Sequence, residues 1–193
     1  MSNIWLTADT HFCHDREFVY KPRGFSTVYE MNDEIVRRWN EVVAPDDDVY
    51  HLGDVMLNDN DQGLKLLKSL RGNIHIVLGN HDTEKRIKLY ETCWNVVEIE
   101  LAIRLKYKGY HFFLTHFPCM TGNIKKESLK QCTCNFFGHT HQDTNFYNEF
   151  PFMYHVGLDS HSCYPVSIDD AIEEIKKEFR RNESSLKRHE DHP

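Results

Sequence analysis

The amino-acid sequence predicts an α/β fold in which strands and helices alternate along the chain. Short apolar runs, typical of buried strands, are separated by amphipathic stretches with helical spacing. Clusters of Asp, Asn and His follow five of these runs, as expected where the strands of a layered fold end at a ligand site. No tract has the composition of a linker or repeat, so we expect one domain over residues 1–181.

The first half of the chain predicts three strand–helix units. A helix is expected over residues 27–43, where Thr27 and Glu30 have the spacing of a capping box. Leucines at helical spacing over residues 64–70 indicate a second helix, and a short third helix is expected over residues 83–90. The strands of these units are predicted at residues 4–8, 49–52 and 74–78.

The second half predicts mainly strands. Apolar residues alternate strictly over residues 97–105, the period of one half-buried strand. Lys108 and Gly109 predict a two-residue hairpin turn. Ser167 is expected to cap a last helix, and the polar tail over residues 182–193 is expected to fray. Further strands are predicted at residues 110–115, 134–137, 152–156 and around Val166.

The charge balance limits the classes of partner. The 193 residues include 23 Lys and Arg against 30 Asp and Glu, which gives a net charge of -7. An acidic chain is poorly suited to bind long nucleic acid or an anionic membrane, whereas a small phosphorylated substrate remains compatible with it. No stretch of about 18 apolar residues and no signal-peptide pattern is present, so we expect no membrane partner and a cytoplasmic location.

The polar clusters together contain enough ligands for two metal ions. They offer two carboxylates, one amide oxygen and four imidazoles, more than the three protein ligands of a typical single catalytic zinc. Nitrogen and oxygen donors without a thiolate suit Mn, Fe, Zn or Ni, with Mn favoured. Asp54, midway in the series, is the predicted bridge because a carboxylate can place one oxygen on each ion. The predicted ligands are Asp9, His11, Asp54, Asn80, His116, His139 and His141.

The ordered motifs resemble those of the calcineurin-like metallophosphoesterase superfamily. The resemblance covers nearly the whole chain and is carried by Asp9-x-His11, Gly53-Asp54, Gly79-Asn80-His81-Asp82, His116 and Gly138-His139-x-His141. It implies a four-layer αββα sandwich of two mixed β-sheets flanked by helices, with a dinuclear metal centre at one edge. The opening residues 7–14 resemble the small bacterial and phage-encoded branch of the superfamily.

The resemblance also implies a role for each residue. Asp9, His11 and His141 would hold the first ion, with Asp54 as the bridge. The second ion would be held by Asn80, His116 and His139. His81 would act as a general acid on the leaving oxygen, with Asp82 orienting it and keeping it protonated.

The expected reaction is hydrolysis of a phosphate ester by in-line attack of a hydroxide that bridges the two ions. Residues 55–58, which follow Gly53-Asp54, contain no arginine that could grip a dianionic phosphate, so a phosphodiester is favoured as substrate. His14 and Arg23 are predicted to contact the substrate, a small phosphate ester such as a nucleotide.

Three alternatives stay open at this point. A phosphomonoesterase acting on a nucleotide or small metabolite would use the same ligands, and so would a metallo-nuclease acting on short oligonucleotides. A non-catalytic metal-binding scaffold with the same fold could lose several of these residues, yet all of them are present. The sequence does not predict an oligomeric state.

Overall fold

The computed structural model describes residues 2–121 and 128–190. The helices are α1 Glu17–Tyr20, α2 Val28–Val42, α3 Asn60–Ser69, α4 Glu84–Tyr90 and α5 Ile168–Glu190, with 3-10 turns at Tyr147–Glu149 and Leu158–Ser160. The strands are β1 Ile4–Thr7, β2 Asp48–His51, β3 Asn73–Val77, β4 Val96–Glu100, β5 Ile103–Tyr107, β6 Tyr110–Leu114, β7 Thr133–Phe137, β8 Met153–His155 and β9 Val166–Ser167.

The strands form two mixed sheets, and this confirms the predicted α/β fold of two such sheets with flanking helices. The first sheet has the order β4-β3-β2-β1-β9, with β1 to β4 parallel and β9 antiparallel to β1. The second has the order β5-β6-β7-β8, in which β5 and β6 are antiparallel and the remaining neighbours are parallel. The parallel strands end together, so the loops that follow them share one edge of each sheet.

Two hydrophobic cores hold these layers together. One core joins α2, α3 and α4 to the first sheet, and Trp39 is its largest fully buried side chain. The other joins the inward faces of the two sheets, for example Leu52 and Phe136, to the buried side of α5. Truncating a buried tryptophan to alanine typically costs about 3–5 kcal/mol, so helix α2 is firmly anchored to the sheet.

Local signals in the sequence set the ends of several elements. The Thr27 hydroxyl accepts a hydrogen bond from the Glu30 amide, and the Ser167 hydroxyl caps α5 in the same way through the Asp170 amide. Lys108 and Gly109 both have positive φ, as a type I′ hairpin turn requires. The predicted caps and hairpin are therefore confirmed.

The prediction of one strand over residues 97–105 is wrong. Glu100 ends β4 in the first sheet and Ile103 begins β5 in the second, so the chain changes sheets between them. Val97 lies at a register shift of β4, and Val97 and Leu101 are 53% and 78% exposed. The alternation of apolar residues continues across the break, and a period of two cannot reveal a change of sheet.

The C-terminal helix runs past the predicted domain boundary. Helix α5 continues to Glu190, whereas the sequence places the end of the domain at residue 181. Residues 191–193 of the predicted tail lie outside the described residues, and the division of the chain at 181 stays a prediction. Within the part of the chain that the structure describes, no helix is long and apolar enough to cross a membrane.

Candidate metal centre

The predicted metal ligands converge at the carboxyl ends of five strands. Asp9, Asp54 and Asn80 follow β1, β2 and β3 of the first sheet. His116 follows β6 of the second sheet, and the pair at positions 139 and 141 follows β7. The two sheets therefore contribute different ligands to one site, and each comes from a loop that a buried strand holds in place.

One group of ligand atoms comprises those of Asp9, His11 and His141, which all lie within 4.8 Å of one another. The Nε2 atoms of His11 and His141 are 3.1 Å apart, and His11 Nε2 lies 3.8 Å from Asp9 Oδ1. Asp9 and His11 are almost fully buried. This is the trio predicted to hold the first ion.

A second group adjoins the first and includes Asp9, Asp54 and His116. His116 Nε2 lies 2.9 Å from Asn80 Oδ1 and 3.2 Å from His139 Nδ1, so the other two predicted ligands face the same point. Asp54 Oδ2 lies 3.5 Å from His116 Nε2 and 3.7 Å from His11 Nε2. The carboxylate of Asp54 thus lies between the two groups.

The donor set fits divalent cations. Asp9 Oδ1 is buried and has no hydrogen-bond partner among the described residues, as expected for an atom that faces a metal. Burial raises the pKa of Asp9 to about 6, and it lowers the pKa of His11 well below its usual range. Lone pairs of buried carboxylates and neutral imidazoles that point at one another repel, and a cation between them removes this cost.

The backbone of the ligand loops is unusual. Five of the seven predicted ligands have φ between 47° and 70°, the left-handed region that residues other than glycine rarely adopt. Such strain costs of order 1–3 kcal/mol per residue and clusters at functional sites. The five residues are Asp9, His11, Asp54, His139 and His141.

Two ligands are oriented through their second ring nitrogen. His116 Nδ1 lies 2.8 Å from the Leu52 carbonyl oxygen, so this nitrogen must donate a hydrogen bond there and leave Nε2 free for a metal. His141 Nδ1 lies 2.9 Å from Asp159 Oδ2, which has the same effect. The pKa of Asp159 is held below its usual range despite burial, because His141 and Arg23 hydrogen-bond to it.

His81 and His14 face the ligand cluster from one side. The side chain of His81 is 42% exposed, and its Nε2 lies 3.9 Å from Asp54 Oδ2. The rings of His81 and His14 are 6.3 Å apart, and the ring of His14 is 5.2 Å from that of His11. Neither histidine belongs to the two ligand groups.

The structure does not support the predicted role of Asp82. Its carboxylate accepts hydrogen bonds from the amides of Gly79 and Asp54, both at 2.8 Å, and from the Tyr90 hydroxyl at 2.6 Å. It is therefore occupied with holding two ligand loops together, and the ring of His81 is not among its hydrogen-bond partners. Arg86, which donates to the His81 carbonyl oxygen and to Asn60 Oδ1, is the side chain that fixes this segment.

The structure also does not support a substrate contact of Arg23. Its side chain is only 1% exposed, and its guanidinium is engaged by Asp159 and by the carbonyl oxygen of Asp9. A group so enclosed cannot reach a substrate on the solvent side of the ligands. Arg23 lies beneath the metal loop instead.

Four residues near the site are not among the site residues predicted from the sequence. Asp159 follows the apolar run at residues 152–156, so the signal that found the other clusters was present there too. The contacts of the remaining three form only in the fold, although Phe117 directly follows a predicted ligand. These three are Arg86, Tyr90 and Phe117, the last of which contacts the rings of His116 and His139.

Comparison with known proteins decides the family. A model of the calcineurin-like phosphoesterase superfamily domain matches residues 3–157. The chain belongs to this superfamily. This superfamily generally uses divalent metals and suggests a hydrolase, and the convergent ligands of this chain suit that chemistry.

Individual relatives match most of the length of this chain. An uncharacterized protein of Methanocaldococcus jannaschii is 34% identical over 188 residues, which cover 92% of this chain and 93% of that protein. The Gene 66 protein of Mycobacterium phage L5 is 27% identical over 164 residues, 73% of this chain and 78% of its own. A solved structure of a protein of unknown function from Aquifex aeolicus shares the fold, with a TM-score of 0.69, 22% identity, and coverage of 90% and 99%.

Proposed function

We propose that this phosphoesterase is a dimetal-dependent phosphodiesterase that acts on a small phosphate ester such as a nucleotide. The observation that carries the proposal is the meeting of seven nitrogen and oxygen ligands, with the Asp54 carboxylate between the two groups and His14 and His81 beside them. The proposed location is the cytoplasm, as expected from the sequence.

In this proposal, Asp9, His11 and His141 hold one ion, and Asn80, His116 and His139 hold the other. The position of Asp54 Oδ2, under 4 Å from a nitrogen of each set, supports its role as the bridge. When bound, two such ions activate a water as nucleophile and neutralise charge on the phosphoryl oxygens. The ligands contain no thiolate, which is compatible with Mn as the favoured ion and with Fe, Zn or Ni.

His81 is the proposed general acid. Its backbone amide donates to Asp54 Oδ1 at 2.8 Å, which ties the position of the imidazole to the bridging carboxylate. The half-exposed ring can exchange protons with solvent and pass one to the leaving oxygen. His14 lies on the same side and is the proposed second contact to the phosphoryl group.

The side chains around the site favour a phosphodiester over a phosphomonoester. A dianionic monoester is bound best by a guanidinium fork. Arg23 is enclosed, and two nitrogens of Arg86 already donate hydrogen bonds to the His81 carbonyl oxygen and to Asn60. A singly charged diester needs less positive charge than a dianionic monoester, and the ring N–H groups of His14 and His81 can donate hydrogen bonds to its oxygens.

Phe117 supports a substrate with an aromatic group, such as the base of a nucleotide. It directly follows His116, its ring centroid is 4.6 Å from that of His139, and it is 49% exposed. An exposed aromatic ring beside reacting groups offers a face on which a base can stack.

The test is hydrolysis of bis(p-nitrophenyl) phosphate and p-nitrophenyl phosphate by metal-stripped protein, with Mn, Fe, Zn, Ni and Mg restored singly. Asp54→Ala and His81→Ala are assayed with His111→Ala as control, since His111 is an exposed histidine on β6. We expect Mn-restored cleavage of the diester, lost in Asp54→Ala and lowered about 10²–10⁴-fold in His81→Ala.

Two results would contradict the proposal. Faster cleavage of the monoester than of the diester would favour a phosphomonoesterase. Two bound ions without turnover of either compound would favour the scaffold. An equal loss of activity in His111→Ala would show that the effect of His81→Ala is not specific to the site.

A further inference from the structure

We infer that Arg23 and Asp159 form a positioning pair for the ion that Asp9, His11 and His141 would hold. The inference rests on the proposed two-ion centre and adds two residues that touch neither the substrate nor an ion. Their contacts join the two loops that supply the three ligands, and these loops are far apart in the sequence.

Arg23 makes a bidentate ion pair with Asp159. Its Nε lies 2.9 Å from Asp159 Oδ1, and its Nη2 lies 3.0 Å from Oδ2. The side chains are 1% and 13% exposed, so solvent screens this pair little. A planar guanidinium and a carboxylate in this geometry fix each other in orientation as well as in distance.

The same guanidinium holds the loop after β1. Arg23 Nη2 also donates to the carbonyl oxygen of Asp9 at 2.8 Å, and Nη1 donates to that of Thr10 at 3.4 Å. Asp9 has positive φ, so its conformation needs support from outside the loop. Arg23 supplies that support through the two carbonyl oxygens.

Asp159 links Arg23 to the loop after β7. Its Oδ2 accepts a hydrogen bond from Nδ1 of His141 at 2.9 Å, which turns Nε2 of that ring towards His11. Gly157, just before the Leu158–Ser160 turn, packs so closely that an added Cβ would lie 3.0 Å from Asp9 Oδ2. The pair therefore fixes both sides of the first ligand set and leaves His116 and Asn80 of the second set untouched.

The pair contacts the ligands of one ion and not those of the other. A variant that only destabilised the fold would weaken the binding of both ions, so the difference between the two affinities is the test. Loss of an outer partner of a metal-binding histidine typically lowers metal affinity about 10- to 100-fold. We expect Asp159→Asn and Arg23→Lys to bind one Mn²⁺ with wild-type affinity and the other with an affinity lowered by about that factor. The expectation is specific to one of two ions in the same molecule.

Binding is measured on the full-length, metal-free protein by following the electron paramagnetic resonance signal of free Mn²⁺ during titration. Asp169→Asn is the matched control, because it removes an exposed carboxylate that pairs with Lys108 at 2.7 Å. His141→Ala serves as background: if Asp159 acts through His141, adding Asp159→Asn should change Mn²⁺ affinity little further. Arg23→Lys keeps the buried charge and provides the test if Asp159→Asn does not fold.

The outcomes separate this inference from the proposed function. A wild-type protein that binds fewer than two Mn²⁺ ions would overturn the two-ion centre and the positioning pair with it. Two ions in the wild type, and unchanged or equally weakened binding of both ions in the folded variants, would overturn the positioning pair alone. Selective weakening of one ion, absent in Asp169→Asn, supports it.

Discussion

Gly79 shows how closely the backbone approaches the bridging carboxylate. A Cβ added there would overlap Asp54 Oδ1 and lie 2.6 Å from the Asp54 amide nitrogen. The amide nitrogen belongs to the backbone, and Oδ1 is held by the His81 amide at 2.8 Å, so the loop would have to move. The requirement at this position is steric, and it explains why a glycine precedes Asn80 in the motif.

We expect Gly79→Ala to lower the affinity for Mn²⁺ at least as much as loss of an outer ligand partner does, about 10-fold or more. The measurement is the Mn²⁺ titration. Gly109→Ala is the control, because Gly109 also has a restrictive backbone, with φ of 81°, but has nothing within 4 Å of its Cβ position. Wild-type Mn²⁺ affinity in Gly79→Ala would contradict the steric argument.

Phe117 can be tested as a specificity residue because it is not a ligand. Stacking of a base on an aromatic side chain is worth about 1–3 kcal/mol. Phe117→Leu should therefore raise KM for aryl or nucleoside phosphodiesters and leave kcat nearly unchanged, with little effect on alkyl diesters. Trp94→Leu is the control, since Trp94 is a similarly exposed aromatic residue held by the Lys68 carbonyl oxygen. An equal change of KM for alkyl and aryl diesters would exclude stacking.

At the scale of elements, Asp47 joins the start of β1 to the loop between α2 and β2. Its carboxylate accepts hydrogen bonds from the amides of Asn3 and Ala44 and from Trp5 Nε1, at 2.8 to 3.0 Å. Burial by itself would raise the pKa of Asp47, but these donors outweigh it and hold the pKa below its usual range. The folded state therefore stabilises the ionised carboxylate of Asp47 relative to the protonated form.

This shift predicts how stability depends on pH. A carboxylate whose folded pKa is depressed contributes stability above its unfolded pKa, about 3.9, and loses it as pH falls through the folded value. Asp47→Asn should lower the free energy of unfolding by about 1–2 kcal/mol at pH 7, and the difference should shrink below about pH 4. Urea unfolding at several pH values measures it, with the exposed neighbour variant Asp46→Asn as control. A difference that is constant with pH would contradict the argument.

The elements that the sequence predicts well are those with a strong local signal. Helix α2 has a cap at Thr27 and an apolar face, and the hairpin has Lys108-Gly109, so composition and spacing are enough to place them. The sheet change after Glu100 has no such signal, because the apolar alternation continues across it. Pattern within one segment cannot report which sheet the segment joins.

In the site, too, features with a local sequence signal were predictable and contacts that only the fold creates were not. The ligand motifs were predictable because each follows a strand, and the strands bring them together. The partners of Asp82 and Arg23 were not, because Asp54, Tyr90 and Asp159 lie 28, 8 and 136 positions away from them. A carboxylate beside a histidine in sequence suggests a pair, but only the fold decides which donors reach it first.

At the scale of the whole molecule, the candidate centre joins the two sheets. Asp9, Asp54 and Asn80 come from loops of the first sheet, whereas His116 and the two histidines after β7 come from loops of the second. An ion that binds ligands from both sheets connects the two sheets, which otherwise meet through the hydrophobic core between them. Metal binding should therefore stabilise the folded chain as a unit.

The size of this effect can be calculated from mass action. A ligand that binds only the folded state stabilises it by about 2.7 kcal/mol at 100 times its Kd, so two Mn²⁺ ions at that ratio should add about 5 kcal/mol. For a chain of this size, each kcal/mol shifts Tm by about 2–4 °C, which predicts a rise of roughly 10–20 °C. Thermal unfolding with Mn²⁺ and with a chelator measures it.

The variants decide whether the ions act across the sheets. Asp54→Ala, which removes the carboxylate between both ligand groups, should abolish most of the rise in Tm, and His111→Ala should retain it. The ligands of either ion include residues from both sheets. Even one bound ion should therefore raise the Tm of a single cooperative unfolding transition. Two separate transitions, with only one shifted by Mn²⁺, would show that the sheets unfold independently and that the ions do not link them.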